Sequence, residues 1–523
     1  MSVSTRRFVV IGVAGAVLTF MSLASWLLVV YPDLPGSDEL FHLDYAWRVG
    51  HGELPTWEEG LTAPGLEPQG PQRVFQHPPL FYALLSPAVT PLLDAGHVRG
   101  AVRAGRLVVL VIGTLTVIAV AWATGRVLPR YDPLLVVGTT AAAAVMVPLI
   151  GVSATIYNDG LAVLAATLAL GIGATMVRRG PTPGRLAGLA IVCAVGFATR
   201  ASFVVLLATA AVAATLAVAR RFRGRGLVAG VTRGLLAASV VVAVALLAVG
   251  WFYLRNVRLT GNWTGGQPEV AEARYGRELR SPFDVATDPD VWVRGVGGII
   301  AQPADPAVDA WRLRLAGFSA VAVLSGLALV RWVRRLARGG IDGADWLVAG
   351  LLAMATAGVA ALMVVYVSIG GRAHPRYMLL ATLPICLAWS LGLLLVRRAR
   401  GVMLTAFVAV SVVLLLWQTS LVLQRRRFPE AGTWKAWTLG AAANGRPSLV
   451  LVALLASMAV GIGCLGVALW RLSGVEATGA QPVQPVVLSA GGTTEPPWDA
   501  PALAATGAGP ADDSGPSPEP RSP

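Results

Sequence analysis

Between positions 37 and 55 the chain reads SDELFHLDYAWRVGHGELP, which places Asp38, Glu39, Asp44 and Glu53 beside His42 and His51 in a protein only 13% charged. Carboxylates and imidazoles are the side chains that exchange protons near neutral pH, so this stretch carries the parts of a general acid–base site. If it is helical, Asp38 and His42 stand four apart and Tyr45 three further on, which puts the three on one face. The sharper reading makes Asp38 a general base. The plainer reading makes the same residues an acidic first turn that offsets a helix dipole.

Three further clusters carry chemistry. QHPPLFYALLSP, residues 76–87, holds His77 at the rim of an apolar half-turn, because Pro78 and Pro79 stop a helix there. IYNDG contains Tyr157, Asn158 and Asp159 at the start of an apolar run, where Asn or Asp is a normal helix cap, and capping is the favoured local reading. GGRAHPRYMLL, residues 370–380, packs Arg372, His374, Arg376 and Tyr377 into one turn. The guanidinium fork suits a phosphate or pyrophosphate bidentately, and the same arginines also suit lipid headgroups. WFYLRN, residues 251–256, reads as an interfacial aromatic belt with Arg255. Asp38, Glu39 and His42 admit a divalent cation without a ligand-spacing signature, so a cation is possible and no cofactor is required. Cys193, Cys386 and Cys464 all fall inside apolar runs and read as small core residues.

These clusters need elements to hold them, and the composition says which. The chain has 523 residues, is 55% apolar and has a mean hydropathy of +0.66. Apolar runs lie near residues 8–31, 105–128, 133–153, 158–177, 185–199, 201–219, 234–254, 314–333, 346–369, 377–396, 402–423 and 448–470. Most approach the ~20 residues that cross a bilayer, so the fold class is an all-α polytopic membrane protein of about twelve transmembrane helices. The pair between 185 and 219 is marked off mainly by Arg200.

Arginines in short loops set the orientation. Arg126 and Arg130, Arg178, Arg179 and Arg185, the cluster from Arg220 to Arg233, Arg331 to Arg338, and Arg397 to Arg400 fall on one side, taken as cytoplasmic with the N-terminus. Arg425, Arg426 and Arg427 are the exception. Two long loops, 32–104 and 255–313, are then extracytoplasmic, and the first is large and expected to hold interfacial helices. Most of the 28 Asp and Glu and all five His fall on that side, although neither type was used to assign it. Residues 474–523 are rich in Pro, Gly, Ala, Ser and Thr and read as a disordered cytoplasmic tail. The net charge of +14 is almost all Arg, with Lys435 as the single Lys, and has a topological explanation. No soluble basic domain is present for nucleic acid, and no Gly-rich phosphate loop for a nucleotide.

Taken in order, the Asp-Glu pair after the first span, His-Pro-Pro-Leu-Phe-Tyr in the same loop, Asn158-Asp159 and Arg376-Tyr377 resemble the integral-membrane glycosyltransferases of the C-type fold. The likeness is to the protein O-mannosyltransferase and aminoarabinose-transferase-like group and its actinobacterial branch, over about residues 1–400. The resemblance implies a transmembrane catalytic module over 1–400, further helices over 401–473, and a polyprenyl-phosphate sugar donor. It further implies an acceptor hydroxyl on an envelope glycan, lipid or protein, at the outer face of a bacterial plasma membrane among membrane lipids. Carried over, Asp38 would be the catalytic base, with Glu39 orienting it or the acceptor. Arg372 and Arg376 would hold the donor phosphate, and His42, Tyr45, His77, Asn158, Asp159, His374 and Tyr377 are the further binding candidates. A recognisable soluble C-terminal domain is missing, and the DELFHLDY segment is unusually charged, so the acceptor class stays open. The competing readings are a transporter or lipid flippase and a non-catalytic envelope protein of the same fold.

Overall fold

The chain was analysed as a computed structural model that describes residues 2–31, 38–128, 130–222, 224, 226–300, 310–338, 342–394 and 399–478. The described residues are helical, with short irregular connections and no strand. Among the described residues twelve helical passes form the bundle, consistent with the expectation of about twelve helices. They are α1 (Val3–Val30), α4 (Val98–Val127), the pair α5 (Pro133–Ala144) and α6 (Val147–Ser153), α7 (Asp159–Arg179), α8 (Pro183–Phe197), α9 (Val204–Arg221), α10 (Leu227–Thr260), α14 (Ala310–Ala337), α15 (Gly343–Ser368), α16 (Thr382–Leu393) with the 3₁₀ turn Pro375–Ala381 before it, α17 (Arg400–Arg426) and α19 (Ser448–Thr478). Ten of these stretches are long and apolar enough to span alone, the bent α5–α6 pair makes an eleventh, and α8 is a shorter apolar helix.

Between the spans, α2 (Glu39–Gly50) and α3 (Leu80–Asp94) fill the first long loop, α11 (Pro268–Tyr275), α12 (Pro282–Thr287) and α13 (Pro289–Gly295) the second, and α18 (Thr433–Ala443) precedes the last span. The expected tail falls on residues 474–523. Its first five residues belong to α19, which runs to Thr478, and the remainder lies outside the described residues.

Local chemistry explains the element ends. Asp132, Thr182 and Asp342 each accept a backbone N–H from the first turn of α5, α8 and α15, and so satisfy one of the donors that a helix start leaves open. The bend of 60° between α5 and α6 sits where Met146 is extended and Pro148 opens the next helix. Close packing follows small residues. A Cβ on Gly15 of α1 would lie 2.7 Å from the Gly461 carbonyl of α19, so these two helices touch backbone to backbone. At the bundle end away from the first loop, Arg178 bonds Asp345 at 2.6 Å and the Val127 carbonyl at 2.7 Å, tying α7 to α15 and α4.

The first loop is a packed layer. Asp44 is fully buried and accepts from the N–H groups of Thr62 (2.7 Å) and Ala63 (2.8 Å), Gln72 Nε2 (2.8 Å) and Arg48 Nε (3.2 Å). Arg48 also reaches Glu59 at 2.9 Å. A carboxylate taken out of water persists when its lone pairs are filled in this way. α2 rests on α3 through Tyr45 and Tyr82, whose rings stack with centroids 3.8 Å apart. Arg255 of α10 donates to the Pro55 carbonyl at 2.6 Å, a specific tether to this layer where the sequence suggested a general interfacial belt.

Candidate active site

Glu39 anchors the start of α2. It is fully buried, and it accepts from Arg106 Nε at 2.7 Å and Arg106 NH2 at 2.8 Å, one on each oxygen, and from the Ile156 N–H at 2.9 Å. The bidentate pair fixes α2 to α4 and to the turn before α7. Glu39, expected to orient the base or acceptor directly, stands behind the site and does not line it. The reason is angular: adjacent residues on a helix point about 100° apart, so a carboxylate turned toward Arg106 sends its neighbour elsewhere.

That neighbour is Asp38. Its side chain makes no capping bond, and it lines a cavity of about 600 Å³ at the first-loop end of the bundle. Asp38 Oδ2 stands 4.0 Å from Arg376 NH2. The Arg376 guanidinium carbon lies 5.2 Å from the ring centres of both Tyr157 and Tyr377, and its NH2 donates to the Tyr377 hydroxyl at 3.1 Å. Two aromatic rings thus hold the guanidinium in place. Its Nε is buried and has no hydrogen-bond partner among the described residues. Arg372 lines the same cavity and is exposed.

His374 does not line the cavity. Its Nδ1 accepts the Arg376 N–H at 3.2 Å, which caps the turn that presents Arg376. Burial, with Arg376 beside it, lowers the His374 pKa to about 3, so the ring is neutral and Nδ1 stays an acceptor.

His42 and His77 line the cavity with their rings 7° from parallel and 5.9 Å apart. Burial first, then the charges of Arg376 and Arg200, hold His42 well below the usual imidazole range; burial and then Arg200 do the same to His77. Both are neutral at physiological pH, so the positive charge of the wall is arginine alone. His42 Nδ1 pairs with the Tyr82 hydroxyl at 2.8 Å. Tyr45, expected to touch substrate, donates to the His77 carbonyl at 2.9 Å and sits behind the wall, because α2 turns that face into α3.

Asn158 does not cap α7 with its side chain. Its amide donates to the Thr199 carbonyl at 3.0 Å and accepts from Arg200 NH1 at 3.1 Å, while Asp159 Oδ1 pairs with Arg200 NH1 at 2.6 Å. This overturns the capping reading: the pair holds Arg200 against the cavity, which Asn158, Asp159 and Arg200 all line. Asp159 Oδ2 is buried with no hydrogen-bond partner among the described residues.

Arg200 was visible in the sequence only as a break between spans. Its signal was a single Arg interrupting an otherwise apolar stretch between two spans. Arg73 and Arg277 also line the cavity, Arg73 over the Phe41 ring at 5.2 Å and Arg277 bonded to the Gly370 carbonyl at 3.1 Å. Trp57, Trp263 and Gln267 complete the loop side, and they had no local signature. The other wall is apolar, with Ala162 and Val163 from α7, Leu362 and Met363 from α15, and Leu379 and Leu380 before α16.

For a divalent cation the donors do not fit. Glu39 is filled by Arg106 and Ile156, His42 Nδ1 is engaged, and among the described residues no group of three or more His, Cys, Asp or Glu is placed to hold a metal.

No family model matches the chain, and no curated protein matches it. Among solved structures, it is similar to ArnT from Cupriavidus metallidurans bound to undecaprenyl phosphate, with 17% identity over 90% of this chain and 77% of that one and a TM-score of 0.47. It is also similar to the oligosaccharyltransferase AglB from Archaeoglobus fulgidus in complex with an inhibitory peptide and a dolichol-phosphate (13% identity, 83% of this chain, 56% of that one, TM-score 0.43). A third likeness is to the arabinosyltransferase EmbB from Mycobacterium smegmatis (18% identity, 86% of this chain, 41% of that one, TM-score 0.40). All three are membrane glycosyltransferases of the C-type fold, the group that the order of motifs in this sequence resembles.

Proposed function

We propose that the chain is a glycosyltransferase that moves a sugar from a polyprenyl phosphate to an acceptor hydroxyl at the extracytoplasmic face of a bacterial plasma membrane. One observation carries this: a carboxylate that caps nothing, Asp38, faces across 4.0 Å a guanidinium, Arg376, whose buried Nε lacks a hydrogen-bond partner among the described residues. A buried donor without an acceptor is costly in a finished structure and fits an anionic ligand. The apolar wall from α7, α15 and the turn before α16 suits an isoprenoid chain beside that anion.

In the reaction, the acceptor oxygen forms a bond to the sugar's anomeric carbon as the bond from that carbon to the phosphate oxygen breaks. The bonding pair leaves with the phosphate, where Arg376 and Arg372 offset the growing charge, and the hydroxyl proton passes to Asp38. Attack opposite the phosphate inverts the anomeric centre, which NMR of the product linkage reads directly. A phosphate already leaves well when cations surround it, so a base and a cationic clamp suffice without a general acid.

A transporter reading fits less well. The deepest lining residues of α7 lie four positions from its start, about 6 Å at 1.5 Å per residue against a hydrocarbon layer of ~30 Å. The orientation rests on the Arg pattern. A cysteine at Ala373 should react with an impermeant thiol reagent on intact cells and one at Arg335 should not; the reverse overturns it. The activity is tested by incubating purified protein in lipid with a panel of radiolabelled polyprenyl-phosphate sugars. Release of polyprenyl phosphate with label moved to acceptor supports the reading. Failure to bind undecaprenyl phosphate at all overturns it.

A further inference from the structure

The proposed donor accounts for the apolar wall and Arg376 but leaves the loop wall without a ligand. That wall differs in kind. It includes two indole rings, Trp57 and Trp263, together with Gln76, Thr264, Gln267 and Arg73. From these residues we infer that the acceptor is a saccharide, a reading that rests on the glycosyl-transfer function proposed above.

Both indoles are braced from the side. Trp57 meets the buried Phe75 edge to face at 6.0 Å, and Trp263 meets Tyr253 at 5.5 Å, with the Tyr253 hydroxyl donating to the Phe197 carbonyl at 2.7 Å. Trp263 lines the cavity and is 42% exposed.

The turn that carries Trp263 is rigid. Asn262 Oδ1 accepts from the N–H and the hydroxyl of Thr264, both at 2.9 Å. Gly265 has φ +72°, and a Cβ there would collide with Gln76. Asn256 Nδ2 then bonds the Gln76 carbonyl at 3.1 Å and the Trp263 carbonyl at 3.3 Å, so the two loops form one surface. Within it Gln267 Oε1 is buried with no hydrogen-bond partner among the described residues. An orphaned acceptor asks for a ligand that brings a donor.

A sugar ring supplies both missing parts: an apolar face of C–H groups to lie on an indole, and a rim of hydroxyls that donate to an amide oxygen and accept from Arg or amide N–H. The alternatives fit less well. A peptide that binds by pairing its backbone with a strand edge finds no such edge among the described residues. A lipid acceptor needs a second wholly apolar wall, whereas this one sets amides, a hydroxyl and a guanidinium beside its aromatic rings.

The test uses the full chain in nanodiscs and reads binding without turnover. The probes are short mannose, arabinose, galactose and glucose oligosaccharides, a Ser/Thr-rich peptide, and undecaprenyl phosphate. The expectation is that one or more oligosaccharides bind, that Trp57→Ala, Trp263→Ala and Gln267→Ala each weaken that binding roughly tenfold or more, the scale of removing an anchor side chain, and that Trp263→Phe recovers part of the loss. Undecaprenyl phosphate should bind all variants as it binds the wild type, which also certifies their folding. Binding of the peptide but no oligosaccharide, no oligosaccharide binding in protein that holds undecaprenyl phosphate, or oligosaccharide binding indifferent to all three substitutions would overturn the inference while leaving the donor reading intact. Loss of undecaprenyl phosphate binding in the wild type sinks the donor reading instead.

Discussion

The layer around Asp44 and the cavity beside it use the same kinds of residue, drawn partly from the same 40-residue stretch, and they end in opposite states. In the layer every oxygen of Asp44 is met, by two backbone N–H groups, an amide and a guanidinium, and Glu39 is filled in the same manner by Arg106 and Ile156. In the cavity Arg376 Nε, Asp159 Oδ2 and Gln267 Oε1 are buried without partners among the described residues. Open bonds alone do not mark the site, because Arg48 NH2 in the layer and Arg255 NH1 are also buried without partners among the described residues. What sets Arg376, Asp159 and Gln267 apart is that their side chains line a cavity of about 600 Å³, where a ligand can reach the open groups.

The sharpest way to break the comparison is at Asp38. Asp38→Asn keeps the shape and removes the proton acceptor, so turnover should fall by roughly 10² to 10⁴ while undecaprenyl phosphate binding and melting temperature hold. A variant that turns over normally would return Asp38 to the role of an ordinary helix-start residue.

One position on, the expected outcome reverses. Glu39→Gln removes the charge from one side of the buried bidentate pair with Arg106, and breaking such a pair costs about 3–5 kcal/mol of stability. Glu39→Gln should therefore show a lower melting temperature first, with any loss of turnover following from displacement of Asp38. A Glu39→Gln protein that melts like the wild type and is slow would place Glu39 in the chemistry.

This pair also marks how far the sequence could be read. The spans were legible because an apolar run is a local property, and the Arg alternation supported their count. Even the weak pair around Arg200 proved real, with the 3₁₀ turn Ala201–Phe203 between α8 and α9. Asp38, Arg372 and Arg376 were legible as candidates because their neighbours formed motifs. The division of labour between Asp38 and Glu39 was not, since it depends on where Arg106 lies, 67 residues away. Nor were Trp57, Arg73, Trp263, Gln267 and Arg277, which separate loops bring to one wall and which no spacing rule connects. The bend at Met146 escaped for a simpler reason: the apolar run continues through it.

Arg376 tests the other side of the comparison, where a bond is left open. Arg376→Ala should weaken undecaprenyl phosphate binding by about 10- to 100-fold, the scale of a charge-assisted hydrogen bond, and slow turnover further because the contact strengthens as the phosphate leaves. Arg376→Lys should recover only part, since an ammonium keeps the charge and loses the planar fork set between Tyr157 and Tyr377. Unchanged donor binding in the Ala variant, measured by titration in nanodiscs, would move the phosphate site elsewhere.

The smallest expected effect lies at His374, which belongs to the scaffold yet touches the site. Its Nδ1 accepts the N–H of Arg376, and only the neutral ring can do so. Burial is the main cause of its lowered pKa of about 3, Arg376 and Arg314 add to it, and Asp159 opposes them. Because the folded value lies below the unfolded value of about 6.5, the unfolded chain takes up a proton that the folded chain resists. This contribution is complete above pH 6.5 and is lost progressively as pH falls toward 3, at no more than about 1.4 kcal/mol per pH unit. His42 and His77 are depressed in the same direction, so the wild type should melt at lower temperature at pH 5 than at pH 7. His374→Asn, whose side-chain oxygen can still accept the Arg376 N–H but does not titrate, should reduce that pH dependence and preserve donor binding at pH 5. An unaltered pH slope in this variant would mean that His374 titrates alike in the folded and unfolded chain, and that the turn presenting Arg376 does not depend on it.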